Sequence, residues 1–328
     1  MKAKYTYITI CIALMTLASC HEEEIFTGPC DVHFRAYLQD EVSVTRASYT
    51  AVDESVPAFT AELFVSDGQL VNSSSFTWDG TGTVGSIRLE EGTYTLCGYA
   101  PQQGNASFTL EDKTMTIPAL SGLSDKDALI IKPQTLEINS GDKDKVVRLQ
   151  MDHLLARVTP YIYVHEKYAE MRTIKIKKVQ MLFRNDTLYT AVINVNDNVD
   201  DDDNVAGNYS VAWNKGDATT ESIATTYETA APEALTTTRG KQEYGSCYLC
   251  PAKWTGDLRM RVTYDVYDKA EPAVLTRKDA VVENQIKRLP AKLTAGTNYK
   301  LHIKIVPTYL YALSDNDNGA EIFIVDKN

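Results

Sequence analysis

Residues 31–38 read DVHFRAYL, and this stretch decides how the chain folds. Val32, Phe34, Ala36 and Leu38 alternate with Asp, His, Arg and Tyr. An apolar residue at every second position is the pattern of a strand that buries one face and exposes the other. The sequence therefore predicts a half-buried β-strand here.

Further short strand candidates follow, separated by clusters of Gly, Asp, Asn and Pro at the spacing typical of a sandwich. In the first half of the chain they are residues 60–65, 75–78, 84–89, 92–99, 107–110 and 128–131. In the second half they begin at Ile174 and include residues 179–183, 188–195, 209–213, 246–249, 258–267 and 299–306. No fixed repeat and no long amphipathic helix accompanies them, so we predict an all-β protein.

The length of 328 residues suits two domains better than one. Residues 145–164 form one long apolar-rich segment in which Pro160 should force a bend or an edge position. We place the domain boundary near residue 165, which gives β-sandwiches at 47–165 and 166–328. Within the second, the polar stretches 197–204 and 215–240 are expected to be solvated loops.

The first 20 residues predict export. Lys2 and Lys4 precede an apolar run over residues 8–17, and Leu, Ala and Ser then lead to Cys20. The run is too short to span a bilayer, and His and three Glu follow it without a basic flank. The segment is similar to bacterial lipoprotein signals, so we expect a signal peptide at 1–19 and acylation of Cys20, which tethers the chain to a membrane.

The charge balance excludes one class of partner. The chain has 33 basic and 44 acidic residues, a net charge of −11. Loss of Lys2 and Lys4 with the signal leaves 31 − 44 = −13. Binding to phosphate backbones needs a basic face, so we predict no nucleic-acid partner.

Catalytic and metal-binding motifs are missing from the sequence. It contains no G-x-S-x-G, no H-E-x-x-H and no phosphate-binding glycine loop, and we expect His153, amid apolar neighbours, to be a packed structural residue. The acidic stretches 200–203 and 315–319 lack the residue order of a calcium loop. We therefore predict a protein that is not an enzyme and holds neither metal nor cofactor.

Four cysteines remain after the lipid site: Cys30, Cys97, Cys247 and Cys250. They allow three complete pairings, and the sequence does not choose among them. Cys247 and Cys250 form a C-x-x-C, but the segment around them reads as a strand rather than a helix N-terminus, and no second ligand pair accompanies it. We expect structural cysteines.

Four motifs occur in order along nearly the whole chain. They are the lipoprotein signal at 17–20, a strand followed by Thr-Arg-Ala at 45–47, residues 127–131 followed by the His- and Ala-Arg-Val-containing segment 146–158, and LTAGTNY at 293–299. In this order and spacing they resemble the fimbrillin family, the subunits and accessory proteins of type V pili of Gram-negative anaerobes.

The resemblance implies two transthyretin-like (Greek-key) antiparallel β-sandwich domains in tandem. It also implies a structural subunit of a cell-surface fimbria at the outer membrane, which mediates adhesion. The expected partners are other pilus subunits, outer-membrane lipid through acylated Cys20, and a host protein or glycan.

Strand exchange is the assembly mechanism that the resemblance implies. An arginine-specific protease would cut between Arg46 and Ala47 and remove residues 20–46. The strand that leaves contains Val32, Phe34, Ala36 and Leu38, and the groove would take a neighbour's C-terminal strand containing Ile322, Phe323, Ile324 and Val325. Main-chain hydrogen bonds would supply affinity, and the head-to-tail contact would not close.

Two alternatives remain open. Anchor proteins of the same family keep their lipid and are not cut, so the chain could retain residues 20–46. A different class is a monomeric surface lipoprotein that binds a glycan or host protein through loop aromatics, with Trp78, Trp213 and Trp254 as candidates.

Overall fold

The computed structural model describes residues 28–38, 59–78, 83–101, 106–195, 209–252, 257–286, 290, 293–306 and 310–315. Its first ten strands are β1 (Cys30–Leu38), β2 (Phe59–Ser66), β3 (Val71–Trp78), β4 (Thr83–Leu89), β5 (Gly92–Ala100), β6 (Ser107–Thr109), β7 (Thr114–Ser121), β8 (Leu123–Ser124), β9 (Leu129–Ile138) and β10 (Asp144–His153). They are followed by β11 (Ala156–Val164), the helix α1 (Glu166–Ala169), β12 (Arg172–Val195), β13 (Tyr209–Glu228), β14 (Cys247–Leu249), β15 (Asp257–Asp268), β16 (Leu275–Gln285), β17 (Asn298–Ile305) and β18 (Leu310–Asp315). The predicted all-β class is confirmed.

The first sheet has seven strands in the order β3-β2-β5-β9-β10-β1-β4. The buried side chains of the first core all belong to this sheet, including Val32, Phe34, Leu63, Leu96 and Leu149. The sheet therefore curves around its own core instead of packing that face on a second sheet. Its outermost strands, β3 and β4, approach each other where the ring of Phe76 lies over Gly85.

The second core lies between two other sheets. A five-stranded sheet, ordered β18-β17-β11-β14-β8, packs on a sheet ordered β16-β15-β12-β7-β6, in which β12 also pairs with β13. Side chains of β11 and β17, such as Ile162 and Ile303, meet side chains of β12 and β15, such as Met181 and Met260. This is the sandwich arrangement that the strand pattern predicts.

A third core joins the two regions. Phe64, Cys97 and Ile130, on the other face of the seven-stranded sheet, pack with side chains of β7 and of the second half of β12. The 24 residues of β12 therefore contribute to two cores. Pairing crosses residue 165, since β7 pairs with β12 and β11 with β17. The domain boundary near 165 stays a prediction.

Three details differ from expectation. Among the described strands, the pairs β1–β10 and β11–β17 are parallel, whereas the sequence suggested antiparallel sheets. The prediction of a loop over 215–240 is wrong for residues 215–228. Here β13 continues through the Thr-rich stretch and pairs with β12. The apolar segment 145–164 forms two strands, with Pro160 inside β11, just past the last residue that pairs with β14.

Candidate functional site

The strand β1 lies inside the seven-stranded sheet and not at its edge. Along one side it pairs in parallel with β10, from Asp31 opposite Asp144 to Leu38 opposite Met151. Along the other side it pairs antiparallel with β4, from Cys30 opposite Leu89 to Arg35 opposite Thr83. Both rows of its backbone hydrogen-bonding groups are thus used.

One face of β1 is buried in the first core. Cys30, Val32 and Phe34 are 0% exposed, whereas His33 and Arg35 face solvent. The backbones of Ala36 and Leu38 pair with Leu149 and Met151, and their side chains lie outside the described part. The alternation read from the sequence thus matches the burial at positions 32 and 34.

Phe34 forms an aromatic pair in this core. Its ring centroid lies 5.2 Å from that of Phe76 on β3, with the ring planes at 60°. Directly opposite Phe34 in the β4 register is Gly85, with φ of +150°. A β-carbon on Gly85 would lie 2.2 Å from Cδ1 of Phe76, so only glycine leaves room for this ring.

Charges contribute little to the hold on β1. Asp31 Oδ1 lies 3.0 Å from Arg88 Nε, and His33 Nε2 lies 3.9 Å from Asp144 Oδ1. All four side chains are about half exposed or more, and such pairs contribute about 0–1 kcal/mol. Apolar burial and backbone pairing therefore hold the strand in place.

The neighbouring strand β4 depends on β1. Within the described ranges, β4 is hydrogen-bonded to β1 and to no other strand. It also packs Ile87 and Leu89 against the first core and brings Gly85 close to Phe76. Loss of β1 would leave β4 without backbone partners and would expose the core between β4 and β10.

The remaining predicted site residues lie outside the described residues. They are Cys20, Arg46, Ala47, Ile322, Phe323, Ile324 and Val325. The structure does show where the described chain stops on either side of these segments. The described chain stops at Leu38 and resumes at Phe59, and β18 forms the outer strand of the five-stranded sheet before residue 316.

The four cysteines are buried thiols without a disulfide. Burial raises the pKa of Cys97, Cys247 and Cys250 to about 12, and it also raises the pKa of Cys30. Cys247 lies in the second core and Cys250 in the third, so the C-x-x-C faces two different environments. A thiol that holds its proton this firmly is a poor nucleophile and a poor metal ligand.

The other candidates read from the sequence are dispersed. Trp213 is half-buried against the third core, while the side chain of Trp78 and all of Trp254 lie outside the described part. The ring Nδ1 of His153 contacts the carboxylate of Asp127, and both side chains are mostly buried. Among the described residues no group of three or more His, Cys, Asp or Glu could hold a metal, and no helix is long and apolar enough to cross a membrane.

The residues that surround Phe34 could not be predicted from the sequence. Phe76 is 42 positions from Phe34 (76 − 34) in the sequence, and no local pattern links the two. Gly85 did carry a signal, because an isolated glycine inside a strand pattern indicates close backbone approach. The ring it admits became visible only with the fold.

Comparison with known proteins gives similarities of overall structure. No protein-family model and no curated protein matches the sequence. A solved protein from Bacteroides uniformis, provisionally described as a cell adhesion protein, is 13% identical, with a TM-score of 0.47 over 88% of this chain and 98% of that one. A fimbrial protein from Bacteroides vulgatus is 14% identical, with a TM-score of 0.42 over 87% and 99%.

The fimbrial anchor protein Mfa2 from Porphyromonas gingivalis is 10% identical, with a TM-score of 0.35 over 90% of this chain and 99% of that one. By their descriptions these neighbours are adhesion and fimbrial proteins, the class to which the sequence motifs pointed. With TM-scores below 0.5 they give no residue-by-residue correspondence.

Proposed function

We propose that this chain is a structural subunit of a cell-surface fimbria, exported as a lipoprotein, that assembles by strand exchange at the position of β1. The observation that carries the proposal is that β1 is an inner strand of the sheet. A single break in the chain after β1 is enough to remove it. Residues 39–58, which contain Arg46, connect it to the rest of the sheet. Cleavage between Arg46 and Ala47 would free the whole strand.

The energy of β1 burial explains why an empty groove would be filled. Val32 and Phe34 are both 0% exposed, and burial of such side chains contributes about 1.5–3 kcal/mol each. Their joint contribution, about 3–6 kcal/mol, is a large share of the 5–15 kcal/mol that stabilises a typical domain. A subunit without β1 would gain most of this back by accepting a replacement strand.

The replacement has to match the geometry of the groove. Both β10 and β4 present unpaired backbone groups once β1 has left, so an extended segment would pair on two sides. A segment that fills the nine positions of β1 spans about 30 Å.

The chain after β18 is long enough to supply such a segment. At least 13 residues follow Asp315 (328 − 315), and fully extended they reach up to about 45 Å. This length covers the groove and leaves about 15 Å to bridge two subunits. It includes Ile322, Phe323, Ile324 and Val325, the apolar residues proposed as the donor strand.

The lipid on Cys20 would hold the uncut chain at the outer membrane, and cleavage would release it into the polymer. Other pilus subunits are the partners of this reaction. A host protein or glycan would be the ligand of the finished fimbria.

The cleavage step is tested with Arg46→Ala in the native cell, with Arg277→Ala on the exposed strand β16 as the matched control. We expect R46A to remain full-length and membrane-bound, while R277A gives the same polymer ladder as the wild type in the sheared surface fraction. Wild-type polymer formation by R46A would overturn the proposed cleavage site. A wild-type chain that stays uncut in the membrane would favour an anchor, or a monomeric surface lipoprotein that binds a glycan or host protein, instead.

A further inference from the structure

The contact between the two outermost strands of the seven-stranded sheet depends on aromatic rings. The described residues of β3 pair with β2 alone, and those of β4 pair with β1 alone. Phe76 of β3 bridges the two, because its ring occupies the space that a side chain at Gly85 of β4 would need. The sheet is therefore closed around its core at this level by side-chain packing.

The ring of Phe34 is the third part of this contact. It lies beside Phe76, and Phe34 pairs with Gly85 of β4 on one side and with Val147 of β10 on the other. We call the space bounded by Phe76, Gly85 and Val147 the Phe34 pocket. Since Phe34 is 0% exposed, the pocket is closed to water while β1 is present.

We propose that the Phe34 pocket selects an aromatic residue in the strand that replaces β1, and thereby sets the register and direction of that strand. This inference rests on the proposed strand exchange and adds what the incoming strand must present. A flat ring in the pocket restores the tilted ring pair with Phe76, which an aliphatic side chain cannot form. It also keeps Phe76 packed over Gly85, where β3 and β4 meet.

The proposed donor sequence contains one aromatic residue, Phe323. In an extended strand Phe323 shares a face with Glu321 and Val325, whereas Ile322 and Ile324 point to the opposite face. Phe323, which lies outside the described residues, is therefore the occupant that we assign to the pocket.

The position of Val32 then fixes the direction. With Phe323 in the pocket, either Glu321 or Val325 falls at the level of Val32, two residues away. Val32 is 0% exposed, and an unpaired carboxylate there would be strongly unfavourable. Val325 therefore takes that position, and Glu321 falls at the level of Ala36, beyond Arg35, the last residue of β1 that pairs with β4. The incoming strand then runs opposite to β1, antiparallel to β10 and parallel to β4.

Charged substitutions in the donor segment distinguish the two faces. In the full chain assembling on its native cell, Phe323→Asp and Val325→Asp should abolish polymer formation. The matched controls Ile322→Asp and Ile324→Asp, on the outward face, should assemble as the wild type does. The reverse pattern, with assembly blocked by the isoleucine variants and not by F323D, would overturn the proposal.

A second measurement tests the pocket in the uncut chain, independently of assembly. We expect Phe34→Leu and Phe76→Leu to be coupled in a double-mutant cycle, with an interaction of about threefold to tenfold in the unfolding equilibrium constant. If the effects of the two substitutions on the unfolding equilibrium constant simply multiply, the two rings are not coupled. The pocket would then not favour an aromatic side chain. A wild-type chain that forms no polymer would overturn strand exchange and the assigned occupant with it, whereas the cycle alone decides whether the pocket favours an aromatic ring.

Discussion

The replacement of Phe34 by alanine measures how strongly β1 is held. The side chain is 0% exposed and pairs with Phe76 at 5.2 Å. Truncation of a fully buried Phe to Ala costs about 3–5 kcal/mol, from the lost transfer energy and the cavity that remains. Because β4 is anchored through β1, the neighbouring strand should have little capacity to close that cavity without losing its own pairing.

The assay is equilibrium unfolding of the uncut chain in urea, followed by fluorescence and far-UV circular dichroism. The matched control is Arg35→Ala, the next residue on the same strand, whose exposed side chain should contribute within about 0.5 kcal/mol. We expect F34A to lower the midpoint with little change in the slope. A loss below about 1 kcal/mol, similar to that of R35A, would refute the claim that burial at Phe34 holds the strand.

Two further predictions concern buried polar and titrating groups. The pKa of Cys97, Cys247 and Cys250 is raised to about 12 by burial, so the native thiols should not react with a thiol reagent at about pH 8 and should react after denaturation. Because the folded state holds these protons more tightly than the unfolded state, the contribution of the three thiols to stability should be constant below about pH 9 and fall between about pH 9 and 12. Fast labelling of the native chain at about pH 8 would contradict this. Asp186 is 1% exposed and accepts hydrogen bonds from the hydroxyls of Ser121 and Ser222 at 2.9 and 2.6 Å. D186A should therefore cost about 2–4 kcal/mol in urea unfolding, against a negligible effect of Asp112→Ala on the surface.

The sequence predicted those features of the fold that depend on local pattern. The alternation at Val32 and Phe34 identified β1 and its buried face, because side-chain period two follows directly from strand geometry. The same pattern does not specify which strands pair, or in which direction. The parallel pairing of β1 with β10 therefore could not be predicted from it.

Strand β13 shows how a polar sequence joins a sheet. Its Thr-rich half suggested a loop, yet β-branched threonines fit a pleated surface, and pairing with β12 satisfies their backbone. The buried carboxylate of Asp186 was missed for a related reason. Asn185 and Asp186 look like a turn in sequence, but here they interrupt the regular pairing inside the 24 residues of β12.

The candidate site, too, could be predicted from the sequence only in part. Its apolar positions were visible in the sequence, whereas the Phe34 pocket is built from β1, β3, β4 and β10, which come together only in three dimensions. Gly85 illustrates the difference between what the sequence and the fold reveal. Gly85 lies inside the strand predicted at 84–89, but the ring of Phe76 that packs against it is visible only in the fold.

The N-terminus of the protein on its native cell shows directly whether β1 is removed. Intact mass and N-terminal sequencing of material sheared from the surface would be compared with material retained in the membrane. Strand exchange predicts a polymeric sheared species that begins at Ala47 and lacks β1. A single membrane-bound species that begins at acylated Cys20 and retains β1 would contradict it.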